Sequence, residues 1–457
     1  MKKTNTGSEK PLKRTFHKSF RLVRTTALMT CLTLSLAACG SKEDKSCSDS
    51  TTGSANTAAV NEDTTEANKS SFSRVSQDII DNMAPATDTE GLTVTDEMYE
   101  KAIFNSGNTA RLEACMEKAA RGESVTIAYI GGSITNGSNA SPQASKCYAA
   151  LSTKWWEDTF PNAEIKYVNA GIGGTDSWLG VHRASEEVIS EAPDLVIVEF
   201  SVNDYQTLNK ETYDSLIRYL LTSDSEPAVI SLMLAQKNGG YAKEHAPIAF
   251  KYKVPMISYS ALLTGGLVPW DKVGATDGVH PVNSGHSLIA NLLTTYYRSV
   301  LENINDHESE GYMVPDISQS QTRCRYLNSS ILYSDSFTAD EMTGFTAGKV
   351  WSPLTNTNGW STTSSGTISF TVNAKEIGII FMQTNKEPDK NDTRYDVYVD
   401  DEFVCTIKGY ESATWGQHLE YASVLLVDDS ATHTVSLKPN SDSIGSEFTI
   451  MGIGITE

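Results

Sequence analysis

Val125-Thr-Ile-Ala-Tyr-Ile-Gly-Gly-Ser-Ile-Thr-Asn-Gly137 is the stretch that decides the fold. From Val125 to Ile130 it is apolar and rich in β-branched and aromatic residues, the pattern of a buried strand. Gly131 and Gly132 then let the chain turn sharply without a Cβ clash. Ser133 follows, which places a hydroxyl at the carboxyl end of a strand, where open α/β sheets hold their ligands. Ser133 is therefore a candidate nucleophile, and it needs a base and an oxyanion site from elsewhere in the chain.

Further short apolar runs lie on the C-terminal side, at Glu164–Val168, Asp194–Phe200, Ala228–Leu234 and Pro255–Tyr259. Helical patterns separate them, around Lys146–Glu157, Leu179–Ser190 and Glu211–Leu221. The last is an amphipathic stripe of Leu288, Ile289, Leu292, Leu293, Tyr296, Tyr297 and Val300. Before the central strand, Leu112, Cys115, Met116 and Ala119 recur at helical spacing. Alternating β and α segments predict a doubly wound, mainly parallel sheet with helices on both faces.

Three other places on this framework offer chemistry. After the second strand comes Asn169-Ala-Gly-Ile-Gly-Gly-Thr-Asp-Ser177, whose glycines leave backbone N–H groups free to meet an anion. The third strand ends Glu199-Phe-Ser-Val-Asn-Asp204, bringing the amide of Asn203 to the same edge. Asp277-Gly-Val-His-Pro281 stands before the last helix, with a carboxylate spaced to hold the His280 imidazole in one tautomer. His286, Arg183 and Tyr205 lie near these motifs, but packing explains them as well as substrate contact does. His245, after Asn238-Gly-Gly240, is expected on a surface loop.

Taken in order, the four places resemble the blocks of the SGNH or GDSL hydrolase family over roughly residues 105–300. The resemblance implies a serine esterase with Ser133 as nucleophile, His280 as general base and Asp277 as its orienting partner. It also implies an oxyanion site made by the N–H groups of Ser133 and Gly174 with the side chain of Asn203. Gly132 stands where the family has aspartate, and Ser201-Val202 where it has two glycines, and neither position supplies a reacting atom. No metal or organic cofactor is required. A short acyl ester, above all an acetyl ester on carbohydrate, is the expected substrate, because the loops are small and polar and no long apolar lid adjoins them. A lipase, lysophospholipase or thioesterase of the same family, or a non-catalytic glycan-binding lipoprotein, is the alternative.

The chain has 457 residues, too many for one core. Residues 1–24 hold eight basic residues against Glu9, and an apolar run follows from Thr25 to Ala38, too short to span a bilayer. It ends in Leu36-Ala-Ala-Cys39, which resembles the lipobox of bacterial lipoproteins, with residues 1–38 removed and Cys39 lipidated. The expected location is extracytoplasmic, on the cell membrane, with the lipid as the only membrane contact. Ser, Thr, Asp, Glu, Asn and Ala dominate the residues after Cys39, so residues 39–90 are expected to form a disordered tether. The hydrolase unit is expected over 91–304, and a polar linker or packed connection over 305–326.

Residues 327–457 change texture to short alternating runs punctuated by turns, such as Tyr395–Val399 and Phe403–Lys408 around Asp400-Asp401. They predict an antiparallel, jelly-roll-like β-sandwich. In it, Trp351, Trp360 and Trp415 are either core or sugar-stacking platforms. The formal charge of −20 becomes −27 without residues 1–38, which argues against nucleic acid as a partner. Cys47, Cys115, Cys147, Cys324 and Cys405 show no spacing that reads as a disulfide framework or zinc site.

Overall fold

A computed structural model describes residues 73–457. The expected lipidation site at Cys39 and the signal segment before it lie outside the described residues. Six strands form the first sheet: β1 (Ile103–Asn105), β2 (Val125–Gly131), β3 (Ile165–Gly171), β4 (Leu195–Glu199), β5 (Ala228–Met233) and β6 (Met256–Ser258). Their spatial order is β1-β6-β5-β4-β2-β3, parallel throughout except for the edge pair of β1 with β6. The chain steps from β2 outward to β3 and then back past β2 to β4. The carboxyl end of β2 is therefore the switch point at which a doubly wound sheet opens a crevice.

Side-chain alternation along β2 fills both faces. Val125, Ile127 and Tyr129 join one core with Leu288, Leu292 and Tyr297 of the helix Asn283–Glu302. Ala128 and Ile130 join another with Trp178 and Leu179 of the helix Ser177–Glu187. All of β2 is buried, as the apolar run requires.

The second sheet has seven strands: β7 (Ser329–Leu332), β8 (Glu341–Lys349), β9 (Asn358–Gln383), β10 (Arg394–Val399), β11 (Glu402–Lys408), β12 (His418–Pro439) and β13 (Phe448–Thr456). β9 and β12 are long, at 26 and 22 residues, and pair antiparallel with each other along most of their length. Ile450 of β13 pairs with both Trp360 and Phe381, near opposite ends of β9, so the sheet folds over on its own core. The sequence pattern does not reveal β8 because nearly all of it is exposed or half-exposed, leaving no alternation to read. Ile380, Leu419 and Met451 of this domain belong to the same apolar cluster as Trp178 and Leu179, so one core runs across the domain boundary.

One expectation changes. Residues 73–90, expected within the tether, are packed: Val75 and Ile80 are buried, Gln77–Asp81 is helical, and Arg74 is paired with Glu113 and Glu117. The Arg74 and Val75 N–H groups donate to Asn305 Oδ1 at 2.8 and 3.1 Å. A few apolar side chains suffice to order a segment whose average composition is polar. Of the two readings of 305–326, the structure shows the packed connection, with Arg325 paired to Glu211 at 2.7 Å, Thr322 donating to Asp214, and Tyr326 buried.

Candidate active site

Ser133 opens a one-turn helix directly after β2, and its Oγ lies 2.8 Å from His280 Nε2. His280 Nδ1 lies 2.8 Å from Asp277 Oδ2. Asp277 Oδ1 accepts the backbone N–H groups of Val279 and His280 at 2.8 and 3.0 Å, which fixes the loop that presents the ring. Asn139 Nδ2 donates to Asp277 Oδ2 at 3.1 Å, a contact that no motif announced. Burial works to raise the Asp277 carboxyl, but the hydrogen bonds from the His280 side chain, Val279 N–H and His280 N–H outweigh it. The carboxyl is held well below the ordinary carboxylate range and stays ionised.

The loop after β3 makes a turn from Ile172 to Thr175, closed by the Thr175 N–H and Oγ on Ile172 O at 3.4 and 2.8 Å. Gly174 occupies its third position at φ +78°, the left-handed conformation that a type II turn assigns to glycine. A Cβ on Gly173 would stand 3.8 Å from Ser133 Cβ, so this turn runs alongside the serine. A Cβ on Gly132 would meet Asn203 Oδ1 at 3.0 Å, so the Asn203 amide lies against the residue that precedes the serine. Asp176 follows the turn, and its Oδ1 accepts the Trp178 and Leu179 N–H groups and caps the helix Ser177–Glu187.

The neighbouring side chains hold this edge in place. Buried Arg183 donates to Gly131 O at 3.0 Å and Ala170 O at 2.6 Å, tying the ends of β2 and β3, and pairs with Glu187. His286 is buried and stacked on Tyr148; it accepts the Tyr148 N–H on Nδ1 and donates Nε2–H to Ser138 O. Burial pushes it down to about 4, so it is neutral and structural. Burial likewise raises Glu199, beneath the Ser133 turn, to about 8. His245 differs from expectation. It lies on the helix Ala242–Lys251, buried, with Nε2 2.7 Å from Asp204 Oδ2 and its ring stacked on Tyr213, because Asp204 needs a buried partner there.

The β-domain reaches the same edge. Trp360 is core, while Trp351 and Trp415 are exposed. Trp415 lies over Gly174: a Cβ there would stand 2.6 Å from its indole Cζ2. A narrow cleft between the domains is lined by Gly174, Thr175, Tyr205, Gln206, Glu420 and Tyr421. Tyr421 is 245 residues from the carboxylate it contacts, Asp176, and only the fold brings them together. Among the described residues, no group of three or more His, Cys, Asp or Glu side chains is placed to hold a metal ion.

This arrangement has what acyl transfer demands of a nucleophile and base: a hydroxyl hydrogen-bonded to an imidazole and the imidazole oriented by an ionised carboxylate, with the Gly173-Gly174 turn and the Asn203 side chain close to the serine. Residues 129–288 match the model of the GDSL-like Lipase/Acylhydrolase family. The chain is similar to a two-domain esterase active on acetylated mannans, at 28% identity and a TM-score of 0.69. That match covers 79% of this chain and 99% of the other. The same esterase co-crystallised with mannopentaose matches at 28% identity and TM-score 0.69, over 79% of this chain and 98% of the other. No protein of curated function matches the sequence.

Proposed function

We propose that this chain, which contains a GDSL-like lipase/acylhydrolase domain and is a carboxylic ester hydrolase, removes acetyl groups from a polysaccharide or its oligosaccharides. His280 Nε2 takes the proton of Ser133 as Oγ attacks the ester carbonyl. Asp277 holds the imidazole and stabilises the imidazolium that forms. The N–H groups of Ser133 and Gly174 with the Asn203 amide receive the tetrahedral oxyanion, each donor worth about 3–4 kcal/mol in the transition state. His280 then returns the proton to the leaving sugar hydroxyl, and water, activated by the same base, releases acetate from Ser133.

The observation behind the carbohydrate reading is the position of Trp415. An indole of the second domain stands over the turn that borders the serine, so both domains wall one cleft, and an exposed indole face suits a sugar ring. The two-domain esterase similar to this chain is active on acetylated mannans, which supports the same substrate class here. Acetate released from acetylated mannan and acetylated xylan, compared with hydrolysis of 4-nitrophenyl acetate, butyrate and octanoate, tests the proposal. Preference for octanoate, with no acetate from either glycan, would move the chain to the lipases or thioesterases.

The proposal extends to an enzyme outside the cell, held by lipid on Cys39, where polymers too large to import are met. Cys39→Ser is expected to free it from the membrane fraction or leave it as an unprocessed precursor. Wild-type processing and membrane retention of that variant would end the anchor proposal.

A further inference from the structure

The hydrolase helix Ser177–Glu187 is gripped by the β-domain along its first two turns. Glu376, fully buried, accepts Trp178 Nε1–H at 2.9 Å and lies 2.8 Å from His182 Nε2. Gly378 and Gly454 leave room for the Trp178 ring, since a Cβ on either would stand 2.3 or 2.7 Å from it. The Tyr421 ring stacks on Trp178 at 4.0 Å and 5°. Together with the shared apolar cluster, these contacts already dock the domains.

The Tyr421 hydroxyl adds something that docking does not need. It donates to Asp176 Oδ2 at 2.7 Å. The same oxygen accepts Asn209 Nδ2 at 2.9 Å, and Oδ1 caps the helix, so donors from three elements converge on this one carboxylate. Gln206 Nε2 donates in turn to the Tyr421 oxygen at 3.1 Å. Asp176 adjoins the turn that holds Gly174 in its left-handed conformation, two residues from the N–H assigned to the oxyanion. Burying a hydroxyl against a carboxylate is favourable only when the geometry is well made, and phenylalanine would have filled the stack on Trp178 alone.

We infer that Tyr421 and Asp176 are positioning residues: the β-domain holds the oxyanion turn in its working geometry through this hydrogen bond, so even an ester too small to touch the β-domain depends on it. The inference rests on the reading of Ser133 as nucleophile and Gly174 N–H as oxyanion donor. In this arrangement the second domain is part of the catalytic apparatus as well as a wall of the glycan cleft. A displaced donor weakens transition-state binding while leaving ground-state binding of a small ester alone, so the loss falls on kcat and not on KM.

The test uses full-length Tyr421→Phe, Asp176→Asn and the double variant, with 4-nitrophenyl acetate as substrate. Tyr421→Phe keeps the ring stack and removes only the hydroxyl. Its kcat is expected to fall roughly tenfold, with KM within about twofold of wild type. Asp176→Asn should fall at least as far, and the double variant no further than Asp176→Asn, because the two side chains act through one contact. Should Tyr421→Phe fail to fold, Asp176→Asn tests the same link from the other side. Ser423→Ala, which removes a 3.2 Å hydrogen bond to Glu376 elsewhere in the interface, should leave kcat unchanged. Wild-type kcat in Tyr421→Phe, multiplying losses in the double variant, or an equal loss in Ser423→Ala would each overturn the inference. A Ser133→Ala variant that still turned over the ester would overturn the underlying site reading instead, which separates the two failures.

Discussion

Replacing Gly174 by alanine perturbs the turn in two ways that the structure lets one weigh. At φ +78° an L-residue costs about 1–2 kcal/mol. The new Cβ would also stand 2.6 Å from Trp415 Cζ2, about 1 Å inside ordinary carbon contact. Trp415 is 57% exposed, so its ring can swing outward and spare the fold. The expected loss of stability is therefore about 1–2 kcal/mol, a few degrees in Tm at most. The active site has no such freedom. A flattened turn carries the Gly174 N–H away from the oxyanion, and loss of one donor lowers kcat by about 10²–10³-fold. Gly173→Ala is the paired control: its Cβ would meet Ser133 Cβ at an ordinary 3.8 Å, with no positive φ to violate, so kcat should stay within several-fold of wild type. Steady-state kinetics on 4-nitrophenyl acetate, with thermal melts of both variants, provide the assay. If Gly174→Ala kept wild-type kcat while Gly173→Ala lost it, the oxyanion donor would be Gly173 and not Gly174.

Four other outcomes are expected. Ser133→Ala and His280→Ala should each abolish nearly all ester hydrolysis, because they act as one unit. Asp277→Asn should keep more activity, since its side chain is 42% exposed and an amide oxygen can still accept the Val279 and His280 N–H groups; kcat measurements that rank it below Ser133→Ala would refute this. Asn203→Ala should cost about 10²–10³-fold in kcat with little change in KM; an unchanged kcat would remove Asn203 from the oxyanion site. Stability should fall in acid through His286. Its folded value is lowered from 6.5 to about 4, so between these the unfolded chain binds a proton that the folded chain refuses. The contribution is intact above pH ~6.5 and is lost as pH falls to about 4, for a total of roughly 3 kcal/mol. Urea midpoints at several pH values, flattened in His286→Gln, would show it; an unaltered acid limb in that variant would exclude His286 as the cause.

Features that rest on local chemistry are legible in the amino-acid order. Val125–Ile130 reads as a buried strand, and a serine just beyond two glycines has to stand at that strand's carboxyl edge. Asp277 and His280 read as a pair because they are three residues apart in one loop, and the structure places them 2.8 Å from each other. The alternation of β and α segments points to the doubly wound sheet, since parallel strands need crossover helices. Exposed β8 leaves no periodic trace, and residues 73–90 read as tether because their few anchoring side chains vanish in a polar average. Which side chains meet across hundreds of residues is a matter of tertiary packing. Tyr421 on Asp176, Glu376 between Trp178 and His182, and Trp415 over Gly174 join two domains whose strands and helices each obey their own local pattern. No spacing rule links such residues, because their proximity comes from the packing of one apolar face on another.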